Sequence, residues 1–417
     1  MVETLRRIAE TALQSHDLCD PCLGRLVGKV GSGLTNATRG RKLRLLLLAH
    51  AASPTEASRF LRPVGGTCWV CGGLPERIPH FAALAARSIG EWEARTFLIG
   101  TRVDPELVNR EEALWAETGT AYQEPIKSEL NREIGKQVAT LTGLDVDLHS
   151  PDLAVLVDTR YDHISVDVAP LFVWGRYRKY SRELPQTRWP CRICRGKGCD
   201  RCGGTGKMYP LSVQELVTGP LLRATGAEDD LFHGMGREDI DARMLGNGRP
   251  FVVELRRPRK RFIDYVAAAA AINAEAGERI EVEGLRPSTR AELVALKSAM
   301  PAKTYRVLAR FSESVPWAKL KEVVHALERK PIQQHTPTRV AHRRADLVRT
   351  RPIHSIRVER LGDTLAALTI EAGAGTYVKE FVHGDQGRTT PNLAEALGVS
   401  CEVLELDVIH IADTREE

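Results

Sequence analysis

Gly234-Met235-Gly236-Arg237-Glu238-Asp239-Ile240-Asp241-Ala242-Arg243-Met244-Leu245-Gly246-Asn247-Gly248-Arg249-Pro250-Phe251 is the stretch on which the reading of this 417-residue chain turns. Its glycines permit sharp turns, so Arg237, Glu238 and Asp239 fall on irregular backbone just ahead of a strand, Pro250 to Leu255. A carboxylate on a loop held by a rigid sheet is a common setting for catalysis. Asp239 is the leading candidate and Asp241 the competing one; a turn or N-cap role is the non-catalytic alternative. The chain has no Walker A loop, no Gly-x-Gly-x-x-Gly after a strand and no Gly-x-Ser-x-Gly, so no nucleotide or S-adenosylmethionine cofactor is indicated.

Outward from this loop, the downstream half alternates strands with helices. Ser212 caps a helix from Val213 to Leu222, and further helices are expected at Ile263 to Ala276, Arg290 to Lys297 and Trp317 to Leu327. Strands are expected at Ile280 to Val282 and Thr304 to Phe311, as a hairpin of Ile353 to Arg360 with Thr364 to Ala372, and at Glu402 to Ile411. Helices mixed with hairpins indicate an α+β domain with a mixed, largely antiparallel sheet. Upstream, an amphipathic helix covers Met1 to Asp17, and a helix from Pro79 to Ala94 precedes a strand from Thr96 to Val103. Asp104-Pro105 starts another helix, with Asp as N-cap and Pro at the first position. A helix from Asn131 to Leu141 and two β runs, Asp152 to Asp158 and His163 to Val168, complete a small α+β module.

Eight of the nine cysteines form C-x-x-C pairs: Cys19/Cys22, Cys68/Cys71, Cys191/Cys194 and Cys199/Cys202. Two such pairs can converge four thiolates on one structural zinc ion. The first two pairs are read as one site and the last two as another; Cys401 is read as core. The second set, with its Gly196, Gly198 and Gly203-Gly204-Thr205-Gly206, resembles the knuckles of DnaJ-type zinc domains. Disulfides do not suit a cytosolic chain, and four pairs without a thioredoxin-like context argue against redox work.

The formal net charge is +5, unevenly spread. Arg249, Arg256, Arg257, Arg259, Lys260 and Arg261 form one cluster; Arg339, Arg343, Arg344, Arg349 and Arg351 a second; Arg176, Arg178, Lys179 and Arg182 a third, around Trp174, Tyr177 and Tyr180. Basic clusters interleaved with aromatics suit a protein that tracks phosphates and stacks on bases. The densest apolar run, Leu45 to Ala49, is far short of the ~18 residues of a membrane span. With no secretion-type N-terminus either, a cytoplasmic protein is expected.

Three segments carry a family resemblance. Gly236-Arg237-Glu238-Asp239 resembles the G-R-x-D catalytic loop of pseudouridine synthases, Lys303-Thr304-Tyr305 their second motif, and Gly375-Thr376-Tyr377-Val378-Lys379 their third. With the N-terminal cysteine pairs, Arg243 to Phe251, Thr336-Pro337-Thr338-Arg339-Val340, His342-Arg343-Arg344 and His383 to Thr389, the whole chain resembles the archaeal and eukaryotic tRNA pseudouridine synthases, the tenth in the common family numbering. These modify uridines 54 and 55 of the T-loop. The resemblance implies a zinc-bound, THUMP-like accessory domain over residues 1–185, a Cys-rich zinc-knuckle connector over 186–208 and a catalytic domain over 209–417. It implies tRNA as partner, structural Zn2+, no organic cofactor, and Asp239 as nucleophile. Tyr305, Tyr377, Lys379 and Arg237 would line the substrate site, with Tyr305 stacking on the flipped uracil and Lys379 paired with Asp239. The competing reading is a non-catalytic, zinc-dependent RNA-binding protein, which would have no use for three motifs in order.

Overall fold

The computed structural model describes residues 1–61, 67–343 and 345–412. Arg344, and the side chains of His342 and Arg343, quoted above, lie outside the described residues. The chain divides into two units: Met1–Ala169 with Arg259–Arg261, and Pro170–Pro258 with Phe262–Glu417. No described helix is long and apolar enough to cross a membrane.

The first unit begins with α1 (Val2–Ser15), α2 (Asp20–Arg25), α3 (Asn36–His50), α4 (Pro54–Phe60) and α5 (Ile78–Ile89). It continues through β1 (Thr96–Arg102), α6 (Pro105–Thr118), α7 (Ile126–Thr142), β2 (Asp145–Val146), β3 (Leu153–Asp158) and β4 (His163–Val168). Local chemistry accounts for the starts: Asp104 caps α6, its carboxylate accepting from the Glu106 N–H at 3.0 Å, with Pro105 in the first turn. The sheet runs β2-β1-β3-β4, with β1 parallel to β2 and β3 and the β3–β4 hairpin antiparallel. Gly24 and Gly40 let α2 and α3 touch backbone to backbone; a Cβ on Gly24 would sit 1.8 Å from the Asn36 carbonyl oxygen.

The second unit holds β5 (Leu171–Lys179), α8 (Val213–Thr225), β6 (Asp229–Gly234), β7 (Arg243–Arg256), α9 (Tyr265–Ala276), β8 (Ile280–Ser288), α10 (Arg290–Ser298) and β9 (Lys303–Phe311). Then come α11 (Trp317–Leu327), β10 (Pro331–His335), β11 (Val348–Arg360), β12 (Leu365–Ala372), α12 (Val378–His383), β13 (Thr389–Thr390), α13 (Leu393–Leu397) and β14 (Cys401–Ile411). The sheet order is β13-β10-β11-β12-β9-β14-β7-β5-β8, with β6 added on β7. Its one parallel pairing is β14 with β7; the others are antiparallel, as the sequence predicts. Alternate burial along β9 turns Tyr305, Val307, Ala309 and Phe311 into the core. Cys401 is buried in β14, as expected.

The boundary falls at 169/170, not at 185/186. Leu171–Lys179, which holds Arg176, Arg178 and Lys179 of the third basic cluster and falls inside the span expected for the accessory domain, is an inner strand between β7 and β8. Val173, Tyr177 and Lys179 point into the core, and both strand edges are hydrogen-bonded. The cysteine-rich segment lies within the second unit rather than between the two, closed at its root by a Pro190–Lys207 bridge.

Candidate active site

The β6–β7 connection is held from behind by side chains that take its backbone carbonyls. Arg249 Nη1 donates to Met235 O at 2.6 Å, and Gln186 Nε2 to Gly236 O at 3.0 Å. Lys179 Nζ reaches Asp239 O at 3.3 Å and Ile240 O at 2.8 Å, and Arg182 Nη1 reaches Asp241 O at 2.9 Å. Glu238 turns inward, ion-paired with Arg249 Nε at 2.8 Å and accepting from the Tyr177 hydroxyl at 2.8 Å. Gly236 has φ +78, the left-handed conformation this turn needs. A loop anchored at five carbonyls and one buried carboxylate leaves Asp239 facing a cavity of about 430 Å³.

Arg237, Asp239, Tyr305, Tyr377 and Lys379 all line that cavity. Tyr305 enters from the start of β9, and burial pushes its phenol up to about 12, so it stays protonated at neutral pH. Tyr377 precedes α12, its backbone N–H and C=O both bonded to the Gln334 amide at 2.9 Å. Arg237 is exposed, its guanidinium 5.1 Å from the Trp189 ring centre.

The expected pairing of Lys379 with Asp239 is only part of the arrangement. Lys379 Nζ bonds Asp241 Oδ2 at 2.6 Å and stands 3.9 Å from Asp239 Oδ2. Burial works against ionisation of Asp241, but the Lys379 bond outweighs it and holds the carboxyl below its usual range. The nearest cation to Asp239 is Arg339, with Nη1 2.8 Å from Oδ1 and Nε 2.7 Å from the buried Glu380. Burial opposes the Arg339 charge, yet Glu380 and Asp239 outweigh it and raise its pKa. From the sequence, Arg339 stood in a basic cluster and in the Thr336 to Val340 segment of the family resemblance, with no role of its own. The sequence signals that single it out are the flanking Thr336-Pro337 turn and Glu380 directly after Lys379.

Two of the three basic clusters do not form a free basic surface. Arg249 is 1% exposed and Lys179 0%; burial pulls the Lys179 ammonium down to about 8. Arg178 bridges Glu281 and Glu283, Arg182 bridges Glu405 and Asp407, Arg256 pairs with Asp229 and Arg257 with Glu228. Arg259 lies 3.8 Å from the Trp92 ring centre, and Arg261 is buried. Lys303, uncounted in any cluster, lines the cavity; burial and the nearby Arg249 charge pull it down to about 8.

The eight paired cysteines form two sets, Cys19/Cys22/Cys68/Cys71 and Cys191/Cys194/Cys199/Cys202, with the sulfurs of each within 4.8 Å of one another. A tetrahedral ion about 2.3 Å from each sulfur would set the sulfurs about 3.8 Å apart. Observed Sγ–Sγ separations are 3.6 Å for Cys19–Cys71, 3.9 Å for Cys191–Cys199 and Cys194–Cys202, and 3.7 Å for Cys199–Cys202. In the second set the amides of Gly198, Cys199 and Gly206 donate to sulfur at 3.2 Å, outer hydrogen bonds of the kind that orient metal ligands. Both sets fit a metal ion and are compatible with zinc.

Residues 172–412 match the family model described as Pus10, C-terminal, and residues 81–158 match the Pus10 THUMP domain, archaeal. A catalytic domain of this kind with a THUMP domain ahead of it defines the class: the chain is a pseudouridine synthase, an isomerase. It is 42% identical to the tRNA pseudouridine synthase Pus10 of Methanothrix thermoacetophila, over 96% of this chain and 92% of that protein. Identity is 40% to the proteins of the same name from Methanopyrus kandleri (99% of each chain) and Halorubrum lacusprofundi (97% of this chain, 95% of that protein). The chain belongs to the Pus10 family.

Proposed function

We propose that the protein converts uridine to pseudouridine in the T-loop of tRNA, at position 54, 55 or both, with Asp239 as nucleophile. The observation that carries this is the Asp239 carboxylate facing a basic cavity, its loop fixed from behind and its oxygens flanked by Arg339 and Lys379. The reaction breaks N1–C1′, turns the ring and forms C5–C1′; the C5 proton leaves and N1 gains one, so no oxidant or organic cofactor is needed. Addition to the base, attack at C1′ and proton abstraction from the sugar all call for a carboxylate against the target nucleoside, where Arg339 and Lys379 flank it. Tyr305 offers its ring to the extruded uracil and its hydroxyl to the proton removal at C5. Arg237 and Tyr377 bound the opening through which the flipped base enters, at a cost of a few kcal/mol. The cysteine sets would hold structural Zn2+, Cys19/Cys22/Cys68/Cys71 in the first unit and Cys191/Cys194/Cys199/Cys202 in the second.

The test is incubation with an unmodified tRNA transcript, followed by carbodiimide-blocked reverse transcription. T-loop stops that vanish with Asp239→Ala, while tRNA affinity persists, are expected. Tight, salt-sensitive tRNA binding without stops would instead support the non-catalytic zinc-dependent RNA-binding protein.

A further inference from the structure

The segment bearing the second cysteine set is rooted on the catalytic loop. Gln186 bonds the Gly236 carbonyl, the Trp189 ring lies under the Arg237 guanidinium, and Trp189 meets Tyr209 edge-on at 5.7 Å. Beyond this root the four sulfurs gather residues 191–206 into a knuckle. The root's cations are occupied: Arg188 pairs with Asp230 and Lys207 with Glu215. The knuckle's are not. Arg192, Arg195, Lys197 and Arg201 are exposed, against the single acid Asp200, and their side chains have no hydrogen-bond or ion-pair partner among the described residues. Ile193, between the first two, is 62% exposed.

Four unpaired like charges within ten residues repel one another and gain nothing for the fold, so their placement calls for an external polyanion. A metal-closed loop presents them with little ordering cost, and its root touches Gly236 and Arg237, two residues that line the cavity Asp239 faces. We propose that this knuckle is an RNA-binding arm, whose four cations take phosphates flanking the target uridine while Ile193 lies against a ribose or base. The inference rests on the reading of the Asp239 cavity as the uridine site. It adds a phosphate-binding element which that reading does not require.

The test uses the full chain and an unmodified tRNA transcript. The combined variant Arg192→Ala, Arg195→Ala, Lys197→Ala, Arg201→Ala is expected to retain wild-type zinc content and melting. Its tRNA affinity should fall about ten-fold or more near physiological salt, and its log Kd against log salt plot should flatten by about 3, at roughly 0.7–0.9 per lost contact. Unchanged affinity and slope overturn the proposal. A second measurement needs no variant: phenylglyoxal modification of wild-type arginines, read by mass spectrometry with and without tRNA. Protection of Arg192, Arg195 and Arg201 supports the arm, and equal modification overturns it. If wild-type protein forms pseudouridine with the arm unprotected, the arm fails and the catalytic reading stands. If the arm is protected but no pseudouridine forms, the catalytic reading fails instead.

Discussion

Glu238 and Asp239 are adjacent in the chain and face opposite surroundings: Glu238 is sealed against Arg249 with about 1% of each side chain exposed, and Asp239 opens onto the cavity. The first carboxylate orients the second, because a loop residue whose neighbour is fixed in the core has little freedom left. Removing one partner of a buried ion pair costs about 3–5 kcal/mol, since the other charge stays buried alone. Glu238→Ala is therefore expected to lose stability of that order in urea denaturation. It should also lower kcat by about 100-fold through misplacement of Asp239, with a smaller change in tRNA affinity. A Glu238→Leu, Arg249→Met double variant should lose less stability than the sum of the singles; additive losses would mean the pair is not coupled.

Arg339 bridges Asp239 and Glu380 through two different nitrogens of one planar group. A lysine has a single ammonium and cannot span both carboxylates in this geometry. Arg339→Lys should therefore resemble Arg339→Ala in single-turnover rate, both falling by about 100-fold or more, as for loss of a positioned charge-stabilising donor. Full activity in Arg339→Lys would reduce the residue to a point charge.

Much of this fold was legible because the signals are local. Asp104-Pro105 and Ser212 start helices where expected, and the alternation along β9 and the hairpin of β11 and β12 announces itself. Strand β5 did not, because a lysine, Lys179, stands in its buried row and Arg176 and Arg178 fill the other face, and only pairing with β7 and β8 accounts for them. At the site, the motifs identified the residues facing the cavity. The side chains behind the loop, Lys179, Gln186 and Arg249, act through long-range contacts to backbone carbonyls, and such contacts leave no periodicity to read.

Two lysines, Lys179 in the core and Lys303 on the cavity wall, predict a pH dependence of stability. Lys179 and Lys303 are both held down to about 8 by burial, against about 10.4 for the unfolded chain. Between these values the unfolded state binds more protons, so stability rises with pH; below about 8 the cost of burying both charges is present in full. Urea midpoints measured from pH 7 to 10 should climb in the wild type. Lys303→Met removes one charge without orphaning a recorded hydrogen bond. It should be more stable at pH 7 by about 1–3 kcal/mol, the part of a burial penalty that survives relaxation, and should climb less steeply. A variant with the wild-type slope would show that Lys303 keeps an ordinary lysine pKa.

The close contact of α2 with α3 ties metal binding to backbone packing. Cys19 and Cys22 ride on α2, and a Cβ on Gly40 would lie 2.0 Å from the Asp20 carbonyl oxygen, a clash that backbone cannot relieve by rotating a side chain. Gly40→Ala should therefore push α2 off α3 and splay the first cysteine set without touching a sulfur. Two zinc ions per chain are expected in the wild type by elemental analysis, and one in both Gly40→Ala and Cys22→Ser. Structural zinc contributes about 10–16 kcal/mol of apparent binding energy to local folding, so losing this ion should unfold the helices around it. Cys191→Ser with Cys194→Ser should also lose one ion but leave the main melting transition in place, because the second knuckle contributes little to either core. Retention of two ions in Gly40→Ala would mean that α2 can carry its cysteines to the metal without that helix contact.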